Sequence, residues 1–419
     1  MLNNTAYYLF SNQKKSKLDY WIIISALAMM IGLIYSRFLF SLGMVGFSLS
    51  ILMPRKGLWI DLVYDALKKR PAFIGAILIF GGVFLSGINS EDLNGWLHHL
   101  KLKLPFLLLP IAIVLLPKIK QKWYVRLNQS FILLCVISSF PVLVQYLLNF
   151  EEVNEALGRG IPMKTPTNHI RYSLFIAYAS LSSILIWFQG RQEGQNSPRF
   201  LISGIWLIIY LHILAVRSGL GVFYLSAFII IMVIIIRYRL IKLGLGLLLS
   251  IVLLGLVSVQ VFPSLFRKVG YVKYDLMMYQ KGEGKFYSDS ERIASYKVGI
   301  ELFKEYPILG TGIGDLKKKC EDTYEALAIE TSRKNYPHNQ YLFSLAGMGL
   351  IGLIIFVLGT LIPFYFHKCK DPVFWVLHLT IFASFLVENT FERSIGIGFY
   401  LLFLLAALAL EDKDLSQES

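Results

Sequence analysis

Two polar residues of this apolar chain have types and settings that suit chemistry. Arg217 stands between two apolar segments with almost no polar loop around it, and a charge near membrane depth usually faces a cavity or a partner. Its guanidinium fork fits phosphate oxygens and stays charged at physiological pH. His338, between Pro337 and Asn339, lies where a polar loop meets an apolar segment. A neutral imidazole there can take a proton from a hydroxyl near pH 7, and the adjacent Asn339 could hold the ring.

Each of these residues also has an ordinary interpretation. Arg217 could be an interfacial arginine whose long side chain reaches water, and His338 could be a polar anchor at the membrane surface. Arg292 lies in the first turn of a predicted helix, where a solvated face paired with Asp289 explains it. From the residues alone, Arg292 therefore receives no functional assignment.

Other polar groups near the ends of predicted spans have open interpretations. His169 and Arg171 could join the same cavity as Arg217, or they could simply begin a capped helix. Glu388 and Arg393 could pair with each other. The histidines at 98 and 99 are interpreted as interfacial and not as metal ligands.

The cysteines and glycines exclude other kinds of site. The three cysteines at 135, 320 and 369 lie far apart, so we expect neither a metal site nor a disulfide. The glycine run at 310–314 follows a predicted helix and lacks the Lys-Ser/Thr of a phosphate loop, which argues against nucleotide binding. Gly349 and Gly352 are predicted to let helices approach closely and thereby to fix where His338 points.

The composition predicts an all-α polytopic membrane protein. Of 419 residues, 56% are hydrophobic and 16% charged, and the apolar residues come in blocks of about twenty. The twelve predicted spans are approximately 20–36, 38–53, 71–88, 104–117, 129–149, 172–189, 200–216, 219–236, 241–262, 340–366, 373–389 and 395–410. They form a single membrane domain over 1–419, with nine spans in 20–262, a long loop at 263–338 and three spans in 339–410. The span at 104–117 contains Pro105 and Pro110, so we expect it to be tilted, broken or partly re-entrant.

The basic residues indicate the orientation of the spans. The formal net charge is +14, and Lys and Arg gather in cytoplasmic loops. They cluster at the amino terminus and in alternate connections, at Lys14, Lys15, Lys17, Arg55, Lys56, Lys68, Lys69, Arg70, Lys118, Lys120, Lys122, Arg126, Arg237, Arg239, Lys242, Lys368 and Lys370. This pattern predicts that both termini are cytoplasmic and that segments 150–171 and 263–338 lie outside. No basic patch interleaved with aromatic residues indicates nucleic acid, and the polar amino terminus predicts no cleavable signal peptide.

The long loop at 263–338 is predicted to contain an amphipathic helix. Residues 288–291 fit a capping box. After it, apolar side chains recur at helical spacing, at Ile293, Tyr296, Ile300 and Phe303. Pro307 and the glycines after it then stop the helix. We expect this helix to lie on the membrane or on the bundle.

Several of these motifs together resemble one family. A histidine followed by Asn, Ser or Gln, then nine residues and Gly-x-x-Gly, resembles the O-antigen ligases, and residues 338–352 fit that pattern in full. Residues 217–220 resemble the Arg-Ser motif of the wider ligase and polymerase superfamily. Residues 290–292 and 307–312 resemble its loop helix and the Pro-x-x-Gly-x-Gly turn that follows. The resemblance covers mainly 200–355, and the amino-terminal half matches only in its hydropathy.

The resemblance implies a glycosyltransferase of the bacterial inner membrane with its active site facing the periplasm. The donor is a glycan on undecaprenyl pyrophosphate. The acceptor is the sugar core of lipid A in ligases, or another lipid-linked repeat unit in polymerases. The reaction needs no nucleotide sugar, cofactor or metal, which agrees with the absence of a phosphate loop.

The resemblance also implies roles for particular residues. Arg217 and Arg292 would hold the pyrophosphate and stabilise the leaving group's negative charge. His338 would position or deprotonate the acceptor hydroxyl, with inversion at the sugar. The remaining expected site residues are Asn339, Arg171 and His169 for substrate binding, and Pro307, Gly310, Gly312, Gly349 and Gly352 for the shape of the site.

Two rival functions stay open. A polymerase of O-antigen or exopolysaccharide differs from a ligase only in its acceptor, and the complete Gly-x-x-Gly favours the ligase. A transporter or lipid-glycan flippase would show paired half-repeats and helices broken at the membrane midplane. The sequence shows no clear internal repeat, and its unusual charges cluster at the predicted outer face.

Overall fold

The computed structural model describes residues 17–52, 58–192, 194, 197–366 and 371–410. Cys369 and some residues used for the orientation lie outside these ranges, namely Lys14, Lys15, Arg55, Lys56, Lys368 and Lys370, as do the ends of both termini. Cys135 and Cys320 are free and buried.

All regular structure in the described ranges is helical. The helices of the first half are α1 Lys17–Tyr35, α2 Arg37–Leu49, α3 Trp59–Lys69, α4 Ile74–Leu85, α5 Leu93–Lys103, α6 Pro105–Val114, α7 Gln121–Leu148, α8 Phe150–Gly158 and α9 His169–Gln192. Those of the second half are α10 Pro198–Leu214, α11 Arg217–Tyr238, α12 Ile241–Val261, α13 Pro263–Gln280, α14 Ser288–Glu305, α15 Leu316–Ala326, α16 Gln340–Phe366, α17 Pro372–Val387 and α18 Ser394–Leu408. Short 3-10 helices lie at Ser50–Leu52, Pro71–Phe73, Ser86–Asn89, Gly284–Phe286 and Thr390–Glu392.

The apolar helices coincide with the predicted spans. Within the described ranges, eight segments are long and apolar enough to cross a membrane, namely Leu18–Tyr35, Pro71–Asn89, Leu93–Val114, Gln121–Leu148, His169–Gln192, Arg217–Tyr238, Ile241–Val261 and Gln340–Phe366. Four shorter apolar helices, Arg37–Leu52, Pro198–Leu214, Pro372–Val387 and Ser394–Leu408, match the other predicted spans. The all-helical, membrane-spanning character is thus confirmed, and the count of twelve spans stays a prediction.

The span predicted at 104–117 begins earlier in the structure. α5 and α6 together form one apolar segment from Leu93 to Val114, with a break at Leu104 directly before Pro105. Proline has no backbone N–H and fixes its own φ, so it starts a new helix at this point.

α9 lies at the centre of the bundle, and its serines let neighbouring helices come close. It is the most deeply buried of the long apolar helices in the described ranges. A Cβ added to Gly219 of α11 would lie 2.4 Å from the Cβ of Ser173, so only glycine fits this crossing. Arg171 and Arg217 each stand two residues before a member of this pair. The crossing therefore holds the two arginines at the same end of the bundle.

The segment between the ninth and tenth predicted spans contains three α-helices, α13, α14 and α15. α14 begins at Ser288, but the predicted capping box is wrong. The carboxylate of Asp275 in α13 accepts hydrogen bonds from the backbone N–H groups of Asp289 (2.7 Å) and Ser290 (3.2 Å) and from the Ser290 hydroxyl (2.6 Å). An acid from a neighbouring helix thus satisfies the free donors of the first turn.

The buried face of α14 also differs from the predicted one. Its buried residues are Ser290, Ala294, Ser295, Val298, Gly299 and Leu302, whereas the predicted Ile300 is 44% exposed. Small residues are favoured on this buried face because α14 packs closely against the start of α16. A Cβ on Gly299 would lie 2.8 Å from the Pro337 ring.

A loop inserts into a break in α16. Gly349 has φ +63° and ψ −165°, and this backbone conformation interrupts the helix. Residues other than glycine rarely adopt it. The backbone groups freed by the break bond to the loop, with Leu350 N–H donating to the Pro307 carbonyl (2.9 Å) and Thr311 N–H to the Ala346 carbonyl (2.9 Å). The Pro-x-x-Gly-x-Gly turn and the Gly-x-x-Gly motif are therefore two halves of one junction.

The glycines of this junction serve close approach between backbones. A Cβ on Gly310 would lie 2.4 Å from the Met348 nitrogen, and one on Gly312 would lie 2.5 Å from the Asn89 carbonyl oxygen. Gly352 faces the Met348 side chain. The prediction that Gly349 permits close packing is thus refined, because its close neighbour is a loop and not another helix.

Candidate functional site

Five helix ends meet at one end of the bundle. They are the starts of α9, α11, α14 and α16 and the end of α17, and they bring together Arg171, Arg217, Arg292, His338 and Glu388. The first and the last of these residues, Arg171 and Glu388, are more than two hundred positions apart in the sequence, so the bundle and not the local sequence assembles the site.

Glu388 lies at the centre of this group. The Arg292 guanidinium donates to its Oε1 at 2.7 Å, Arg171 lies 3.7 Å from its Oε2, and the His338 ring lies 3.8 Å from Oε2. We call these four residues the Glu388 cluster. Burial alone would raise the pKa of the Glu388 carboxyl, but His338, Arg171 and Arg292 outweigh burial and lower the pKa to about 2. The carboxylate is therefore ionised at neutral pH.

Some polar nitrogen atoms of the Glu388 cluster have no hydrogen-bond partner within the described ranges. In the described part of the chain, Nε and one terminal nitrogen of Arg171 and Nδ1 of His338 are buried without a hydrogen-bond partner. Almost all buried polar atoms in proteins are paired, and each exception calls for an explanation, such as a catalytic role or a bound water or ion. These unsatisfied atoms surround one carboxylate, so they mark a place suited to a polar ligand.

The backbone of His338 is held by two side chains of α14, Ser295 and Tyr296. Its N–H donates to the Ser295 hydroxyl at 3.2 Å, and the Tyr296 hydroxyl donates to the carbonyls of His338 and Leu386, both at 3.1 Å. Asn339 caps α16, because its side-chain oxygen accepts from the N–H groups two and three residues later, and its amide donates to Leu386. Asn339 thus shapes the helix start, and its contact with substrate stays a prediction.

Arg217 is held by the first turn of α14. It pairs with the Asp289 carboxylate and donates to the Ser288 hydroxyl at 2.8 Å. The adjacent Ser218 accepts from Arg292 at 3.3 Å, so the two predicted catalytic arginines share a junction. The structure thus brings Arg217, Arg292 and His338 together, and it assigns Asp289 to Arg217 and not to Arg292.

Lys268 of α13 adds a further positive charge that sequence reasoning missed. It is 8% exposed, donates to the Gly160 carbonyl at 3.1 Å and lies over the Tyr271 ring. Burial and the nearby Arg217 lower its pKa to about 8. His169 lies within electrostatic range of Lys268 and Glu388. Both segments predicted to lie outside, 150–171 and 263–338, therefore contribute to this end of the bundle.

Glu388 is the central residue that sequence reasoning did not select. Its described ion-pair partners are Arg171, Arg292 and His338, whereas Arg393, which is near Glu388 in the sequence, is exposed. The sequence feature that could identify Glu388 is its position as an acid at the end of an apolar helix. Such a buried charge is costly unless several cations surround it. The sequence does not reveal which cations those are.

A second buried acid lies four residues further on. Glu392 binds Lys103 Nζ at 2.5 Å, Gln340 Nε2 at 3.1 Å and His99 Nδ1 at 3.3 Å. We call these four residues the Glu392 cluster. His99 is 6% exposed and its ring faces Glu392, while His98 beside it is exposed. Burial would raise the pKa of Glu392, but Lys103 and His99 lower it to about 2.

Residues 202–357 match the family model described as O-Antigen ligase. The match contains Arg217, Arg292 and His338 and extends past the Gly-x-x-Gly motif, and it ends before Glu388. The resemblance to the O-antigen ligase superfamily is therefore confirmed over this segment, and it supports a membrane glycosyltransferase of the ligase and polymerase type. No curated protein matches the chain.

Proposed function

We propose that this chain, similar over residues 202–357 to the O-antigen ligases, transfers a glycan from undecaprenyl pyrophosphate to a sugar hydroxyl of the lipid A core. The observation that carries the proposal is the Glu388 cluster. Two arginines and a histidine from three helices converge on one buried carboxylate and keep unsatisfied hydrogen-bonding atoms. Such a group suits an anionic donor beside a hydroxyl acceptor.

The arginines bind the pyrophosphate of the donor in this proposal. Arg171, Arg217 and Arg292, with Lys268, carry four positive charges against the carboxylates of Glu388, Asp289 and Asp275. A pyrophosphate would share or replace the carboxylate contacts of Arg217 and Arg292. As the bond to the sugar breaks, preorganised guanidinium groups stabilise the growing charge on the leaving oxygen. The sequence-based roles of Arg217 and Arg292 are kept, and Arg171 joins them.

His338 and Glu388 handle the acceptor proton. The acceptor hydroxyl oxygen attacks the anomeric carbon, the bond from that carbon to the pyrophosphate oxygen breaks, and its electron pair leaves with the pyrophosphate. The proton of the hydroxyl passes to the His338 ring. The ionised Glu388 carboxylate, 3.8 Å from Nδ1, then stabilises the positive ring, as a carboxylate stabilises the imidazolium of a catalytic triad. Direct displacement of this kind inverts the anomeric centre.

The proposal includes the place of the reaction. We infer a twelve-span protein of the bacterial inner membrane with both termini in the cytoplasm and the Glu388 cluster facing the periplasm, because the basic loops indicate that orientation. The arginines supply the positive charge that a divalent metal supplies in many phosphate-binding sites. We therefore expect transfer to be unaffected by a chelator and to need no cofactor.

A polymerase that joins two lipid-linked repeat units is the second candidate. The Gly-x-x-Gly motif favoured the ligase in sequence reasoning, but Gly349 serves the junction with Pro307 and Gly310. A role in holding the backbone fits either acceptor, so this motif does not separate the two functions. Both reactions use the same donor chemistry at the Glu388 cluster.

One reconstituted assay tests the proposal. The purified full chain in detergent is given undecaprenyl-pyrophosphate-linked glycan with lipid A core, or without it, and the products are separated. We expect glycan on lipid A core, whereas lengthened lipid-linked chains would indicate the polymerase. Detergent leaves no bilayer to cross, so transfer excludes pure transport. No transfer by the parent, or full transfer by a well-folded His338→Ala variant, contradicts the proposed role of the site.

A further inference from the structure

An apolar cavity lies at the end of the bundle opposite the Glu388 cluster. It has a volume of about 200 Å³ and lies between α1, α6, α7 and α18. Ala26, Ile113, Leu127 and Leu405 are among the side chains that line it. Apolar cavities of about 150 Å³ in proteins take up small hydrocarbons and stay free of water. This cavity therefore suits part of a hydrocarbon chain and not a polar ligand.

The cavity is elongated along the helices. Both Leu401 and Ala409 line it, and eight residues of helix extend about 12 Å at 1.5 Å per residue. α18 begins near Glu392 and ends at Leu408, so the cavity reaches from the far surface towards the middle of the bundle. This depth matches the outer part of a lipid acyl chain that enters parallel to the helices.

The mouth of the cavity is basic. Arg126 lines it, is exposed and lies over the Trp123 ring. Lys122 stands one turn earlier on the same exposed face of α7. Within the described ranges neither Lys122 nor Arg126 has a carboxylate within ion-pair distance. A guanidinium and an ammonium one turn apart can hold one phosphate between them.

We propose that this cavity binds one anionic phospholipid, with an acyl chain between α1 and α7 and the headgroup phosphate between Lys122 and Arg126. Charge complementarity selects the occupant, because basic pockets between helices on the cytoplasmic side bind anionic headgroups. The predicted orientation places this end of the bundle in the cytoplasmic leaflet. The lipid site is separate from the Glu388 cluster and does not depend on the proposed transfer reaction.

The test compares two lipids of identical chains on the purified full-length protein. Native mass spectrometry in detergent measures binding of dioleoyl phosphatidylglycerol and of dioleoyl phosphatidylcholine. We expect the anionic lipid to bind more tightly to the parent. Lys122→Ala with Arg126→Ala should weaken its binding by about tenfold or more, because two charge-assisted contacts are lost. Arg237→Ala with Lys242→Ala removes two basic residues from the same end of the bundle without touching the cavity, and should bind like the parent.

A second set of measurements tests the apolar half of the site. Ala26→Trp fills the cavity and should abolish binding while Lys122 and Arg126 remain. If that variant does not fold, a series of lysophosphatidylglycerols of increasing chain length on the parent decides the point, and affinity should rise with length and then level off. Equal binding of the two dioleoyl lipids, parent-like binding by the double variant, or affinity independent of chain length would each overturn the proposal.

Discussion

Two buried glutamates four residues apart are used in opposite ways. Glu392 is held by Lys103, Gln340 and His99 at 2.5, 3.1 and 3.3 Å. Glu388 has one contact of that kind, to Arg292 at 2.7 Å, and its other two ion-pair partners stand at 3.7 and 3.8 Å. The pKa of both carboxyls is lowered to about 2, because nearby cations outweigh burial. Ionisation alone therefore does not distinguish the two sites.

The difference lies in how completely each acid is satisfied. The Lys103 ammonium also donates to the Phe391 carbonyl, and the Gln340 amide accepts from Phe391 N–H at 2.8 Å. These bonds fix the connection between α17 and α18. In the Glu388 cluster, by contrast, buried nitrogens of Arg171 and His338 stay without hydrogen bonds. The fully hydrogen-bonded Glu392 cluster stabilises the fold, whereas the Glu388 cluster, with unpaired nitrogens, can rearrange around a ligand.

The largest expected effect is on stability, from Lys103→Ala. It leaves the Glu392 charge buried without its ammonium partner, and breaking such a pair costs about 3–5 kcal/mol. Thermal unfolding of the purified protein measures the loss. Lys101→Ala, an exposed change on the same helix, should leave the unfolding temperature unchanged. A Lys103→Ala variant that is as stable as the parent but inactive would place Lys103 in the functional site and erase the contrast.

The next effect is on activity, from Arg292→Ala. Glu388 keeps Arg171 and His338 nearby, so the protein should fold, while transfer should fall on the order of 100-fold because a stabiliser of the leaving group is lost. The reconstituted assay gives the rate. Lys304→Ala changes an exposed residue of the same helix whose pair with Glu301 is on the surface, and such pairs contribute little. A loss of stability without a loss of specific activity would make Arg292 a structural residue like Lys103.

Exchange of Glu388 for glutamine should separate rate from binding. Glu388→Gln removes the charge that stabilises the protonated His338 ring, so kcat should fall by at least about tenfold. The same change releases Arg171 and Arg292 to bind the pyrophosphate, so the donor KM should also fall. Steady-state kinetics with varied donor measures both. Glu392→Gln should instead lower stability, and parallel changes of kcat and KM in the two variants would contradict the division of roles.

The sequence predicts the apolar helices and some of the residues of the candidate site. Hydropathy identifies each apolar helix because lipid imposes length and composition on it. The motifs selected Arg217, Arg292 and His338, which do meet. Their partners were not predictable. Helix spacing favours a pair between Asp289 and Arg292, but Asp289 binds Arg217, because spacing predicts neighbours along one helix and not across a bundle.

Long-range partners explain the other differences as well. The first turn of α14 is capped by Asp275 and not by its own serine. His99 is buried because Glu392, almost three hundred residues away, lies beside it. The glycine motifs were recognised, but their shared junction depends on the loop that enters α16 at Gly349. Local patterns predict elements, and the choice of partner follows from packing.

The smallest expected effect concerns the pH dependence of donor binding through Lys268. Burial and Arg217 lower its pKa to about 8, so its ammonium charge is present below pH 8 and is lost as pH rises through that value. If Lys268 helps to attract the pyrophosphate, the donor KM should rise between pH 7 and pH 9. Lys268→Met should show a KM that is several-fold higher at pH 7, about the contribution of one partly screened charge, and flat across this range.

The same variant, Lys268→Met, should change stability in the direction opposite to its effect on donor binding. Because the folded-state pKa lies below the ordinary value, the charged lysine costs folding free energy at pH 8 and below, and this cost disappears as pH rises towards 10.5. Lys268→Met should therefore be at least as stable as the parent at pH 7 while binding donor less well, the reverse of Lys103→Ala. A donor KM that depends on pH equally in both proteins would show that another group titrates, and Lys268 would then belong with the structural charges.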